Sequence, residues 1–277
     1  MTRLVTARYL VPIGSRPLEN GALVIEQGRI CAVGKLRELR AQVVGAQVVD
    51  YGDRVILPPL VNAHTHLELT GFPEWLAEGE GYLPDGDFTA WLLRVIAVKR
   101  SLDLDAHRQA ILDGLEMCLR SGTGAIGDFL SVHSLADSYL LSPLLGRVYF
   151  EVLGQDEQAF SGVLGHISRK LRQQPGPHLW AGLAPHAPYT LNRKTLTLAA
   201  DTVRLGGLAA SIHVAESAAE TELIRSAKGP LAERIYPLAG WQDYLGSGEG
   251  VSPVAFLDEC GLLQPGVVLV HGVQVNG

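Results

Sequence analysis

Cysteine is scarce in this 277-residue chain: Cys31, Cys118 and Cys260 are odd in number and far apart. They argue against a disulfide framework and suit a reducing compartment, so a cytoplasmic location is expected. Long uncharged apolar runs are also missing, which excludes a bilayer-spanning helix from the expectations. The opening MTRLVTARYL alternates like a strand and lacks the apolar stretch of a signal peptide. Nor is there an excess of cations, since 23 lysines and arginines against 29 acids leave a formal charge of −6. No basic stripe is present, so neither nucleic acid nor membrane is an expected partner. With 47% hydrophobic and 19% charged residues, the chain has the composition of a folded globular protein.

What is present divides in two. Residues 1–55 read as short strands (Leu4 to Ile13, Gly21 to Val33, Val48 to Leu57) rich in β-branched residues, with a hairpin turn at Gln27-Gly28-Arg29. A small β-domain of sandwich type is expected there. From residue 56 to 277, short apolar runs alternate with helical stretches. The runs are VILPPLVNAH (55–64), GTGAIGDF (122–129), RVYFEVLG (147–154), WAGLAPHAP (180–188), AASIHVAE (209–216) and GVVLVHGV (266–273). They lack clean alternation, as strands buried on both faces of a parallel sheet do. Between them, a helix from Phe88 to Ser101 is expected to start at Asp87, an N-cap residue, and another from Ala106 to Arg120 to stop at Gly122. Six strand–helix alternations indicate an α/β fold with a parallel sheet.

Chemically capable residues sit at the C-terminal end of almost every run: His64 and His66, Asp128, Glu151, His186, His213 with Glu216, and His271. A (β/α)8 barrel builds its active site at that end. Asp128 and Glu151 are explained adequately as polar residues where strands give way to loops. Four histidine-bearing strand ends, in a chain with nine histidines, are not. Residues two apart on a strand face the same side, so His64 and His66 can reach one ion, and His213 offers a third nitrogen. Three protein ligands suit a catalytic rather than a structural divalent metal, with zinc preferred and iron the alternative. Glu216, three residues on, is placed to shuttle a proton. His107, His133, His166 and His178 fall in helices or loops and read as solvated.

LPPLVNAHTHLE after a β-rich region, then LAPHAPYT, IHVAES and LVHG in that order, resemble the amidohydrolase superfamily in its deaminase and chlorohydrolase branch. HTHLELTGF followed by GDFTAWL is similar to its aminodeoxyfutalosine deaminases of menaquinone biosynthesis. The resemblance implies a TIM-like barrel and hydrolytic deamination of an aminated purine-like ring, a small-molecule substrate, with a homodimer as the assembly to test. It makes His64, His66 and His213 the metal ligands and Glu216 the acid that protonates a ring nitrogen. It makes His271 the histidine that orients the attacking oxygen, and it places His186 against the substrate. Glu68 and Trp91 lie in segments that would shape the pocket, and Glu68 is counted with the substrate-binding residues. The other zinc-deaminase architecture, built on His-x-Glu with Pro-Cys-x-x-Cys, is excluded because no Cys-x-x-Cys occurs.

The family pattern runs through two further β/α units, the eighth strand supplying an aspartate that has no counterpart here. A truncated barrel of about six units is therefore expected, with poor stability and weak or absent activity. Hydrolysis of another ring substituent, as in triazine or chlorohydrolase members, and an inactive paralogue both remain open. Residues Arg225 to Gly250 read equally as a loop over the site or as a surface helix with a linker.

Overall fold

The chain forms two compact units, Met1–Leu60 and Val61–Gly277, in a computed structural model that describes residues 1–77 and 87–275. Gly86 of the GDFTAWL segment and the last two residues of the expected 56–277 domain lie outside the described residues.

The first unit is a five-stranded sheet of β1 (Thr2–Leu10), β2 (Leu18–Glu26), β3 (Arg29–Lys35), β4 (Gln47–Asp50) and β5 (Val55–Ile56). Its order is β3-β2-β1-β4, with β5 pairing β1. The hairpin turn lies where expected: Gln27 and Gly28 have φ of 49° and 77°, the left-handed pair that matches strand twist in a two-residue turn. One element was not anticipated. The seven-residue helix α1 (Leu36–Gln42) covers the sheet by burying Leu39 against Leu4, Ala22 and Val24. Among the described residues, the β-domain is thus one sheet with a helix as its covering layer. A helix of two turns with one apolar anchor is too short to show a period.

The second unit carries six parallel strands: β6 (Leu60–Thr65), β7 (Thr123–Leu130), β8 (Leu145–Val152), β9 (Leu179–Pro185), β10 (Ala210–Val214) and β11 (Val267–His271). They follow one another in chain order across the sheet. Every run read from the sequence overlaps its strand, and four of the strands extend past the run by one or two residues. In a flat sheet, five spacings of about 4.8 Å would separate β6 from β11 by about 24 Å. The rings of His64 and His271, on those two strands, are instead 5.1 Å apart. The sheet is therefore rolled into a nearly closed TIM-like barrel. Close approach of β6 and β7 requires Gly127, where a Cβ would collide with the Ala63 carbonyl.

Helices α2 (Phe72–Ala77), α3 (Phe88–Ser101) and α4 (Leu104–Arg120) follow β6. The Asp87 carboxylate accepts the Ala90 N–H at 2.9 Å and caps α3 as its sequence implies. The sheet's outer face packs Phe150, Leu183 and Ile212 into one core with Leu196 and Val203 of α6 (Arg193–Gly206) and Phe256 of α9 (Pro253–Glu259). α5 (Glu157–Ile167) follows β8, and α7 (Ala218–Ser226) follows β10. Beyond α7, Leu231–Ile235 forms a π-helical turn leading into α8 (Tyr236–Ala239). This stretch is neither a bare loop nor a solvated helix. Leu231, Ile235 and Tyr236 are buried with Phe88, Leu92 and Ile96 of α3. No helix among the described residues is long and apolar enough to cross a membrane.

Candidate metal centre

His64, His66 and His213 bring one nitrogen each to within 4.8 Å of one another at the C-terminal mouth of the barrel. His64 ends β6, His66 lies just beyond it, and His213 is near the end of β10. The His66 and His213 rings stack at 6°, with their Nε2 atoms 3.2 Å apart. His64 stands edge-on to both, at 89° and 83°. Phe129 of β7 packs beneath all three rings, 4.6 Å from His213 and 4.7 Å from His64.

This donor set fits a divalent cation. Two imidazole nitrogens about 2.05 Å from one tetrahedral ion lie about 3.3 Å apart, close to the observed separation. Tautomers agree. His213 Nδ1 donates to the His186 carbonyl at 2.6 Å, which leaves the lone pair on Nε2. The Nδ1 of His64 is buried without a hydrogen-bond partner among the described residues. Burial, and then the neighbouring His271 and His186, push the His64 imidazolium down to about 4. His66 and His213 fall well below the ordinary value, chiefly through burial. All three are thus neutral at physiological pH, the form that binds metal.

The proposed proton carrier and its partner lie beside this group. His271, the last residue of β11, stacks on His213 at 18°, and its Nε2 is 3.4 Å from Glu216 Oε1. Burial raises the Glu216 carboxyl to about 7. Glu216 is aimed by Glu220, whose buried carboxylate accepts the N–H groups of Ala215 and Glu216 at 3.0 and 2.8 Å.

His186 follows β9. Its Nδ1 lies 2.9 Å from the Thr190 hydroxyl, whose proton goes to the Ala187 carbonyl. Nδ1 must therefore donate, and Nε2 is free to meet a ligand. Glu151 at the end of β8 brings an oxygen within 4.8 Å of donor nitrogens of His186 and His213. Burial raises its carboxyl to about 7. Glu151 and His186 also form the polar end of a cavity of about 420 Å³ walled by Leu92, Ile96, Tyr189 and Trp241.

Five residues stand otherwise than their sequence context suggests. Glu68 is fully buried and its oxygens are already engaged: Oε1 by Lys99 Nζ (2.7 Å) and Ser131 Oγ (2.6 Å), Oε2 by the N–H groups of Ser131 and Val132 (both 3.1 Å). A carboxylate so saturated has no acceptor left for a substrate. Trp91 is 41% exposed and packs on Phe88, while the cavity takes its α3 lining from the neighbouring Leu92, Val95 and Ile96. His107 is buried and reaches the Glu68 carbonyl at 3.2 Å. His133 donates to the Glu151 carbonyl at 2.7 Å. Asp128 is no ordinary strand end either. It is wholly buried, accepts the Leu67 N–H at 2.8 Å and pairs closely with the Tyr139 hydroxyl. Burial pushes its carboxyl up to about 8. His166 and His178 are exposed as expected.

Comparison with known proteins agrees with this geometry. Residues 21–42 match the bacterial imidazolonepropionase-like composite domain, and residues 55–276 match the amidohydrolase family. The chain is 34% identical to the aminodeoxyfutalosine deaminase of Deinococcus radiodurans, covering 99% of itself and 65% of that protein. It is 30% identical to a 5-methylthioadenosine/S-adenosylhomocysteine deaminase of Nitratidesulfovibrio vulgaris, covering 94% and 54%. It therefore spans between half and two thirds of the length of these relatives. The fold resembles Helicobacter pylori aminofutalosine deaminase (TM-score 0.76, 21% identity, 98% of this chain and 63% of that one). It also resembles a zinc-bound adenosine deaminase of Xanthomonas campestris (TM-score 0.67, 21% identity, 99% and 58%). Rolled parallel strands, histidines converging at their C-terminal mouth and a match over four fifths of its length make this chain a member of the amidohydrolase family.

Proposed function

We propose that the chain is the metal-binding part of a hydrolytic deaminase acting on an aminated purine-like ring, with aminodeoxyfutalosine as the first substrate to test and a 5-methylthioadenosine-like nucleoside as the second. The observation that carries the reading is the set of three neutral imidazoles around one point, with a carboxyl of pKa about 7 beside it. His64, His66 and His213 would hold the ion, zinc by the chemistry of three nitrogens. Bound there, a divalent cation lowers the pKa of water towards neutrality.

The chain's own groups supply the rest. Glu216 is about half protonated near pH 7 and can hand a proton to the ring nitrogen beside the carbon under attack. His271, 3.4 Å away, orients the attacking oxygen and the carboxyl together. His186 presents Nε2 to the ring edge, and the cavity takes the part of the substrate that does not react. The carbon–nitrogen bond then breaks. Water supplies the new carbonyl oxygen and two protons, and the amine leaves as ammonia. The relatives named as deaminases of adenine-like compounds support this choice of ring.

Metal analysis of the purified chain tests the reading. One equivalent of zinc is expected, lost in His64→Ala and His213→Ala, with zinc-dependent ammonia release from aminodeoxyfutalosine above the metal-free background. A well-folded sample that takes up no zinc overturns it.

A further inference from the structure

The two acids that flank the barrel's first crossover face each other's backbone. Asp128, on β7, accepts the N–H of Leu67, the residue after His66. Glu68, one residue beyond Leu67, reaches the opposite way and accepts the N–H groups of Ser131 and Val132, just past the end of β7. Each strand end is thus held by a carboxyl group from the other. Neither acid is free to do anything else, since Tyr139 takes the second oxygen of Asp128 while Lys99 and the Ser131 hydroxyl take that of Glu68. Both side chains are completely buried.

From this we infer that Asp128 and Glu68 form a reciprocal clamp whose purpose is to position the His-x-His pair for its metal. The peptide joining His66 to Leu67 is the one the clamp seizes, and that peptide sets the direction of the His66 ring. Phe129, next to Asp128 in the chain, carries the restraint to the faces of His64 and His213. The His66 and His213 Nε2 atoms lie 3.2 Å apart, a separation that would suit a shared ion, and the clamp would keep them at it. Two strand ends that moved independently would not. The arrangement makes Asp128 and Glu68 positioning residues, with Tyr139 and Lys99 holding each carboxylate in turn.

The inference rests on the metal reading above, and zinc titration of the full chain separates the two. The parent chain should bind one zinc. Asp128→Ala should weaken zinc roughly 10- to 100-fold, the usual cost of losing a group that orients a ligand. It should also change the visible absorption of the cobalt-substituted protein, which reports ligand geometry. Asp128→Asn, which keeps an acceptor for the Leu67 N–H, should stay within about threefold of the parent. Should Asp128→Ala not fold, Glu68→Gln and Tyr139→Phe are titrated in the same way, with a smaller loss of the same sign expected. Folded variants that keep the parent's zinc affinity and cobalt spectrum overturn the clamp. A parent that binds no zinc overturns the metal reading and the clamp with it.

Discussion

The mouth of the barrel has two sides of opposite character. On the β6–β7 side, Glu68 has no exposure, a lysine at 2.7 Å and three further donors. On the β10–β11 side, Glu216 is 20% exposed and, among the described residues, has a neutral histidine at 3.4 Å as its basic neighbour. Burial penalises both carboxylates, but Lys99 and the hydrogen bonds more than offset it for Glu68, whose pKa lies below the ordinary value. Nothing offsets it for Glu216, which rises to about 7. One acid is therefore a permanent anion suited to holding structure, and the other is a titratable group suited to moving a proton. The two carboxyls differ in whether a cation sits against them.

Exchanging the two roles by mutation tests the contrast. The largest effect should come from Glu216→Gln, which removes the proton carrier. Ammonia release should fall by roughly 10²- to 10⁴-fold, while zinc titration stays at the parent value. A comparable loss of zinc would erase the distinction between the two sides.

Next in size is Lys99→Met, which strands a buried anion. Urea unfolding should show a loss of about 3–5 kcal/mol, with partial recovery on adding Glu68→Gln, which removes the charge and keeps an acceptor for the Ser131 and Val132 N–H groups. A single mutant as stable as the parent would mean that the Glu68 charge is solvated after all.

A pH profile should be milder. Since the raised Glu216 carboxyl must be protonated to act, ammonia release should decline about tenfold per unit above pH 7. On the acid side, zinc should persist until His64 protonates near pH 4, well below the pH at which an ordinary histidine would let go. An activity limb that survives in Glu216→Gln would belong to some other group.

The smallest effect is expected for Asp87→Ala. It removes the cap of α3 and a 3.0 Å contact to Arg234, read as a slightly lowered thermal midpoint. That change should leave zinc affinity alone, because α3 carries Lys99 at its far end.

Much of the second unit was readable in advance, for a local reason. Each of the six apolar runs overlaps a strand, and the helix from Phe88 to Ser101 begins and ends where its cap and pattern place it. The histidines at positions 64, 66 and 213 converge because parallel strands all deliver their C-terminal ends to one mouth. The failures share a different cause. Glu68 was read from its neighbours in the motif, but its partners are Lys99 and Ser131, 31 and 63 residues away. His107, His133 and Asp128 read as ordinary polar positions, because nothing adjacent in the chain marks a residue that another element will cover. Helix α1 escaped notice because two turns carry too few apolar positions to register.

Strand positions, helix starts and the histidine-bearing strand ends are properties of short stretches, set by side-chain alternation, capping and turn chemistry, and the amino-acid order alone determined them. The charge on each buried acid was decided only when the barrel closed. It depends on which cation and which backbone N–H groups come within about 3 Å in a medium of low dielectric, and those partners are brought together by strands and helices distant in sequence.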